Sequence, residues 1–141
     1  PQSISIAEKY SLIFDKDFHL QKVIMYSKDI SGDPYGTTGI ELYTKLKQGL
    51  IEKYGNPTGG LESTGTKLYT ESDEFYECLG YTGCGIWASI FEASDGTGII
   101  LEIEGLSRGK GFIVLTYEGP LWEKAVNAQE SSQDSIDKNA L

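Results

Sequence analysis

The chain has 141 residues, of which 39% are hydrophobic, and its 21 acidic against 12 basic residues give a formal net charge of −9. That length corresponds to about one domain, which buries enough surface to fold without a metal or a disulfide. The acidic balance disfavours nucleic-acid binding, and no apolar run approaches the roughly 20 residues that span a bilayer, so we expect no membrane insertion. A basic protein partner or a cation is electrostatically favoured, although solubility alone would also explain the charge.

Two strands and a long helix are predicted in the first part of the chain. Alternating apolar residues predict strands at 10–14 and 20–27, joined into a hairpin by the polar turn DKDFH. A loop rich in Gly, Pro, Asp and Ser follows at 28–39, and the clearest helix is predicted at 39–54.

The helix prediction depends on an apolar stripe and on its end signals. Thr38 and Glu41 have the spacing of a capping box, and Gly55 followed by Pro57 predicts the end of the helix. Gly49 lowers helix propensity, so we expect it to mark a close approach to the sheet. The stripe consists of Tyr43, Leu46, Leu50 and Tyr54.

The second part of the chain predicts a β-meander and a final helix. Residues 55–65 are predicted as a loop, and a strand at 66–71 is compatible with the pattern TKLYTE. Three further strands with short turns between them are predicted at 85–93, 98–104 and 111–117.

The C-terminal part has helical character at 121–130, and the polar residues 131–141 are predicted to be a fraying helix or a disordered tail. We therefore expect a single domain over residues 1–130. Its fold class is α+β, with one antiparallel sheet of five to six strands in the order β-β-α-β-β-β-β-α. One amphipathic helix is expected on one face of the sheet, followed by a C-terminal helix. The pattern lacks the βαβ alternation of a nucleotide-binding parallel sheet.

Four features in this order resemble a loose group of small uncharacterised bacterial α+β proteins, many of them exported. They are DPYG at 33–36 after a hairpin, EKYGNP at 52–57 closing a helix, the Cys–Cys–Trp stretch, and LTYEGPLW at 115–122. The similarity covers about residues 10–125. The resemblance implies the α+β fold and export, and it supplies no catalytic residue.

The chain has two cysteines, Cys78 and Cys84, in the stretch YECLGYTGCGIW. A structural zinc site needs four ligands, and a thioredoxin-like motif has two residues between its cysteines. A disulfide fits the spacing best, because Gly80 and Gly83 allow a tight return, while two reduced thiols remain an alternative. A disulfide would indicate an oxidising compartment and a periplasmic or secreted protein. A cytoplasmic location stays open.

Candidate catalytic and metal-binding residues are few. His19, the single histidine, lies in a predicted turn beside Asp15 and Asp17, and no G-x-S-x-G motif supplies a nucleophile. Glu102 and Glu104 share one strand face about 7 Å apart, which we expect to be an exposed acidic strip. No stretch matches a calcium loop or a phosphate-binding glycine motif. No cofactor and no metal are therefore predicted.

The aromatic residues around the cysteines favour a binding role, because Tyr and Trp provide large contact areas at interfaces. Core packing is the alternative explanation for them. The leading hypothesis is a non-enzymatic protein-binding module, inhibitor- or immunity-like or accessory, that uses the loop at 75–87. The second is a small exported ligand-binding or hydrolase-like protein with an acidic cleft. The candidate binding residues are Tyr69, Phe75, Tyr76, Tyr81 and Trp87, with an acidic rim of Glu71, Asp73, Glu74 and Glu77.

Overall fold

The computed structural model describes residues 5–17 and 19–140. They form one six-stranded antiparallel sheet and helices in the order β-β-α-β-α-β-β-β-α, which confirms the predicted α+β class. The strands are β1 Ala7–Phe14, β2 Leu20–Ser27, β3 Gly59–Ser63, β4 Ile86–Glu92, β5 Gly98–Ser107 and β6 Lys110–Glu118. The helices are α1 Thr37–Tyr54, α2 Phe75–Leu79 and α3 Trp122–Ala140.

The sheet order is β1-β2-β6-β5-β4-β3, so the β4–β5–β6 meander joins the N-terminal hairpin through β6. In the central register, Leu115 of β6 lies opposite Met25 of β2 on one side and opposite Leu101 of β5 on the other. All three side chains are buried. The central strands therefore supply the middle of the core, and β1 and β3 form the edges.

Helices α1 and α2 cover one face of the sheet, which we call the covered face. Tyr43 and Leu50 of α1 lie in the same buried cluster as Tyr76 of α2, as the apolar stripe predicts. The Tyr43 hydroxyl contacts that of Ser89 on β4, and burial raises the pKa of Tyr43 to about 12. The sheet contributes Met25, Phe91, Ile99, Leu101, Ile103, Ile113 and Leu115 to this cluster.

The residues that alternate with this core form the opposite face, which we call the open face. Helix α3 reaches it at its border, where the Lys22 ammonium lies 4.7 Å from the ring centroid of Trp122. Helix α3 continues to Ala140, through the segment predicted as a fraying helix or a disordered tail, and none of its residues is buried. Among the described residues, no helix is long and apolar enough to cross a membrane.

The predicted strand at 66–71 is wrong, since the strand before the meander is β3 at Gly59–Ser63, inside the predicted loop. The glycines that indicated a loop instead allow β3 to pair closely with β4. A Cβ atom on Gly60 would overlap the backbone of Ala88 and Ser89 in β4. Sequence reasoning also missed α2, which has only five residues.

The predicted capping box is also wrong. Helix α1 begins at Thr37, and its N-cap residue Gly36 makes no side-chain hydrogen bond. Asp33 supplies the missing acceptor, because its carboxylate receives the N–H of Thr38 at 3.1 Å and that of Gly39 at 3.0 Å. A carboxylate that accepts free N–H groups at a helix N-terminus stabilises the helix.

The close approach to the sheet expected at Gly49 is wrong, and the glycine of α1 that makes a close approach is Gly39, which meets α2. Nothing lies within 4 Å of a Cβ atom built on Gly49, whereas one on Gly39 would overlap the Tyr76 hydroxyl. The first turn of α1 is therefore the part that meets α2. The predicted end of the helix is confirmed, because Gly55 follows Tyr54 with a φ of 90°.

Candidate functional site

The cysteines are joined as a disulfide between α2 and the turn that precedes β4, with their Cα atoms 5.1 Å apart. Two turn hydrogen bonds shape the enclosed loop, from Tyr81 N–H to the Cys78 carbonyl at 3.1 Å and from Cys84 N–H to the Tyr81 carbonyl at 3.0 Å. While it is formed, the bridge offers no thiolate that could ligate zinc. The disulfide and these hydrogen bonds therefore constrain the loop, and Tyr81 is exposed on it.

The five predicted aromatic residues do not form one surface. Phe75 and Tyr76 are buried, so a partner cannot reach them. Their rings meet edge to face at 5.1 Å, and Phe75 also meets Trp87 at 5.4 Å. Gly111 makes room for Tyr76, because a Cβ atom there would overlap its ring. The core-packing alternative therefore accounts for Phe75 and Tyr76, and in part for Trp87.

Tyr69 and Tyr81 form a separate pair at the surface. Their rings meet edge to face with centroids 6.0 Å apart, and Tyr81 is 45% exposed. The neighbouring Leu68 is 57% exposed. We call Leu68, Tyr69 and Tyr81 the aromatic loop surface. Sequence reasoning found its two tyrosines and missed Leu68.

The backbone at Tyr69 has a φ of 57°, and among the described residues it is the one non-glycine with a positive φ. Such a conformation costs about 1–3 kcal/mol and persists where the surrounding structure imposes it. Two hydrogen bonds tie this segment to the disulfide, from Thr66 N–H to the Cys84 carbonyl at 2.9 Å and from Gly65 N–H to Cys78 Sγ at 3.2 Å. The disulfide and the strained loop therefore hold each other in place.

The predicted acidic rim is partly neutralised. Arg108 forms an ion pair with Asp73 at 2.7 Å and lies 3.9 Å from a carboxylate oxygen of Glu77. The hydrogen bond from Arg108 lowers the pKa of Asp73 and raises that of Arg108. Glu71 and Glu74 remain, linked by a hydrogen bond from Glu71 N–H to the Glu74 carboxylate at 3.2 Å.

Two polar atoms beside this region are buried without a hydrogen-bond partner among the described residues, namely Oε1 of Glu77 and Nε1 of Trp87. Buried polar atoms are nearly always paired in folded proteins. Glu77 and Trp87, the residues that carry these buried atoms, were assigned to the binding surface from the sequence and are half-buried as whole residues.

Glu102 and Glu104 lie on the open face, and the expected exposed strip is half-buried. Glu102 is flanked by Ala88 on β4 and Val114 on β6. Burial raises the pKa of Glu102 to about 8, assisted by the hydrogen bond to Glu104 and its charge, while Lys22 acts in the opposite direction. One carboxyl of the pair therefore retains its proton near neutral pH.

A cavity of about 610 Å³ lies between the tip of the β1–β2 hairpin and α3, where sequence reasoning predicted none. Its apolar wall includes Phe14, Trp122 and Val126, and Lys16 and Lys124 also line it. A second, shallow depression of similar volume runs along the exposed side of α1. Carboxylates line both, namely Asp15 and Asp17 in the first and Glu41 and Glu52 in the second, whereas Glu102 and Glu104 line neither.

Asp15, Asp17 and His19 cluster at the hairpin turn, with one potential ligand atom from each within 4.8 Å of the others. The Asp15 carboxylate closes the turn, because it accepts the N–H groups of Asp17 at 2.8 Å and His19 at 3.0 Å. The backbone hydrogen bond from His19 is the largest cause of the lowered pKa of Asp15. A turn-closing role accounts for these contacts.

The fold and these surfaces define a small disulfide-bridged α+β domain with two accessible apolar regions, the aromatic loop surface and the open face. No family model, curated protein or solved structure matches the chain. The function is therefore argued from these surfaces.

Proposed function

We propose that this protein is a non-enzymatic protein-binding module, inhibitor-like or accessory, that holds its partner through the aromatic loop surface. The observation that carries the proposal is the Tyr69–Tyr81 pair, in which the exposed Tyr81 lies in the disulfide-closed loop and the half-buried Tyr69 lies on a neighbouring segment with a strained backbone. A rigid loop loses little conformational entropy on binding, and this saving increases affinity. Tyrosine adds a large contact area and a hydroxyl for hydrogen bonding.

The preferred partner in this proposal is a basic protein. The net charge of −9 and the rim carboxylates Glu71 and Glu74, which form no ion pair among the described residues, favour a negative field around the tyrosines. Such a field raises the association rate of a cationic partner and disfavours acidic ones. We further propose that the protein acts in an oxidising compartment, such as the periplasm or the extracellular space, because the disulfide would be reduced in most cytoplasms.

The test compares Tyr81→Ala with Tyr35→Ala. Tyr35 is a matched control because its side chain is 60% exposed and lies outside the cysteine loop. Immobilised wild type and both variants are exposed to extract and culture medium of the source cells, and a captured protein is then purified for affinity measurements. We expect Tyr81→Ala to weaken binding about tenfold or more, and Tyr35→Ala to have little effect. A partner that binds all three folded proteins equally would refute the proposal.

A second candidate, a ligand-binding or hydrolase-like protein, is favoured by one observation. Glu102, with its pKa raised to about 8, could donate a proton at neutral pH as a general acid does. The pair lies on a sheet face and lines neither cavity, which is why this candidate ranks second. Hydrolysis of ester, glycoside or peptide substrates by the wild type but not by Glu102→Gln would favour it over the binding module.

A further inference from the structure

Around Glu102 the open face is largely apolar, although helices leave this part of the sheet uncovered. Antiparallel sheets with one packed face generally present polar side chains on the other. Here the outer strands contribute Leu61, Ile86 and Ile90, which are 53%, 55% and 42% exposed. These side chains share a face with Glu102, because Ala88 of β4 lies opposite both Leu61 and Glu102. The inner strands add Ile24, Tyr26, Ile100, Phe112 and Val114 to the same face.

The Glu102–Glu104 pair is the acidic centre of this apolar face. Within the described part of the chain, no cation lies within 4 Å of either carboxylate. Lys22, the cation that influences Glu102, pairs with Glu118 at 3.2 Å and lies over the ring of Trp122. The negative charge of the pair is therefore not neutralised by an ion pair among the described residues.

We propose that the open face is a docking surface for a protein that places a lysine or arginine side chain against Glu102 and Glu104, with apolar neighbours over the surrounding sheet. Charge complementarity selects this occupant, because two adjacent carboxylates among apolar side chains are best neutralised by a cation with an apolar stem. The planar guanidinium of arginine can donate hydrogen bonds to both carboxylates at once. This surface is distinct from the aromatic loop surface, so either proposal can fail alone.

Two further arguments support a cationic partner. Burial and the proximity of Glu104 already oppose ionisation of Glu102, so covering the face with a neutral partner would increase the electrostatic cost. A second copy of this chain would bring another acidic pair of the same sign towards the same face. A cationic side chain lowers the free energy of both carboxylates at once.

The test uses hexylguanidinium as a probe, since it joins an arginine-like head to an apolar stem. Backbone amide shifts of the ¹⁵N-labelled protein are followed during titration, with hexanol as the neutral control and hexanoate as the anionic control. We expect hexylguanidinium to shift the amides of Ile24, Ile100 and Val114, and to bind about tenfold more tightly than either control.

The variant Glu102→Gln/Glu104→Gln should weaken hexylguanidinium binding about tenfold, while Glu52→Gln/Glu130→Gln replaces two acidic side chains elsewhere and should leave it unchanged. Glu52 and Glu130 are both exposed on helices. Equal binding of hexanol, shifts outside the open face, or full binding to the first variant would overturn the proposal. Concentration-dependent dimerisation that the first variant strengthens would overturn it as well, because the occupant would then be a second copy.

Discussion

The hydroxyl of Tyr76 donates a hydrogen bond of 2.7 Å to Oδ2 of Asp33, and this contact joins α2 to the loop before α1. The same carboxylate accepts the N–H groups of Thr38 and Gly39 at the start of α1. The backbone N–H of Asp33 donates to the carbonyl of Gly109 in the β5–β6 turn at 3.0 Å. A single buried aspartate therefore connects both core helices with the sheet.

Asp33→Ala should lower the free energy of unfolding by about 2–3 kcal/mol, because it leaves buried donors without an acceptor. Urea denaturation measures the change. Asp29→Ala is the control, since Asp29 is exposed and pairs with Lys110 at 3.6 Å, and its loss should cost less than about 1 kcal/mol. Equal effects of the two substitutions would contradict the connecting role of Asp33.

Two glycines of α1 should respond in opposite directions to alanine. Gly49→Ala should stabilise the protein by about 0.5–1 kcal/mol, because the position is exposed and alanine has the higher helix propensity. Gly39→Ala should destabilise it by about 1–3 kcal/mol, because the new Cβ atom displaces the Tyr76 hydroxyl from Asp33.

Thermal and urea unfolding of the two variants side by side provide the measurement. Each variant is the control for the other, since the substitution and the helix are the same. Stabilisation by Gly39→Ala would show that the first turn of α1 does not meet Tyr76.

Stability should decrease as the pH rises from about 5 to 8. In this window folded Glu102, with its pKa raised to about 8, still holds a proton that the unfolded chain has lost, so raising the pH favours unfolding. The charged groups that influence Glu102 are Glu104 on its own strand and Lys22 on β2. Because water screens the half-exposed group, we expect a change of about 1–2 kcal/mol.

Urea midpoints at pH 5, 6, 7 and 8 measure this dependence. Glu102→Gln should flatten the curve, because the amide does not titrate, and Glu52→Gln should leave it unchanged. A Glu102→Gln curve as steep as that of the wild type would assign the proton to another group.

The disulfide should protect both cysteines from alkylation until a reductant is added. Intact mass after alkylation, with and without prior reduction, tests this directly. The double variant Cys78→Ala/Cys84→Ala should lose about 2 kcal/mol of stability, because a short closed loop restricts the unfolded chain only moderately. Labelling of both thiols in the unreduced folded protein would contradict the bridge and the proposed oxidising compartment.

Part of the candidate site could be predicted from local pattern. The cysteine spacing and the adjacent glycines predicted a disulfide, and the aromatic residues marked the region that presents Tyr69 and Tyr81. The burial of Phe75 and Tyr76 was not predictable, because a short helix with no long stripe gives no periodic signal. Helix α2 can approach the sheet because Gly105 and Gly111 carry no side chains there, and both glycines lie far from α2 in the sequence.

By itself, the sequence determined the N-terminal hairpin, helix α1, the β4–β5–β6 meander and hence the α+β class, because alternation and 3.6-residue periodicity are local signals of burial. The tertiary structure alone decided which strand flanks the meander, which residue caps α1 and how deeply Glu102 is buried. Two of these features depend on partners distant in the sequence, because Gly60 packs against β4 and Glu102 lies between neighbours on β4 and β6. Asp33 is only five residues from Thr38, but its carboxylate also accepts the hydrogen bond of the distant Tyr76. Packing between distant segments sets a side chain's environment, and the environment sets its chemistry.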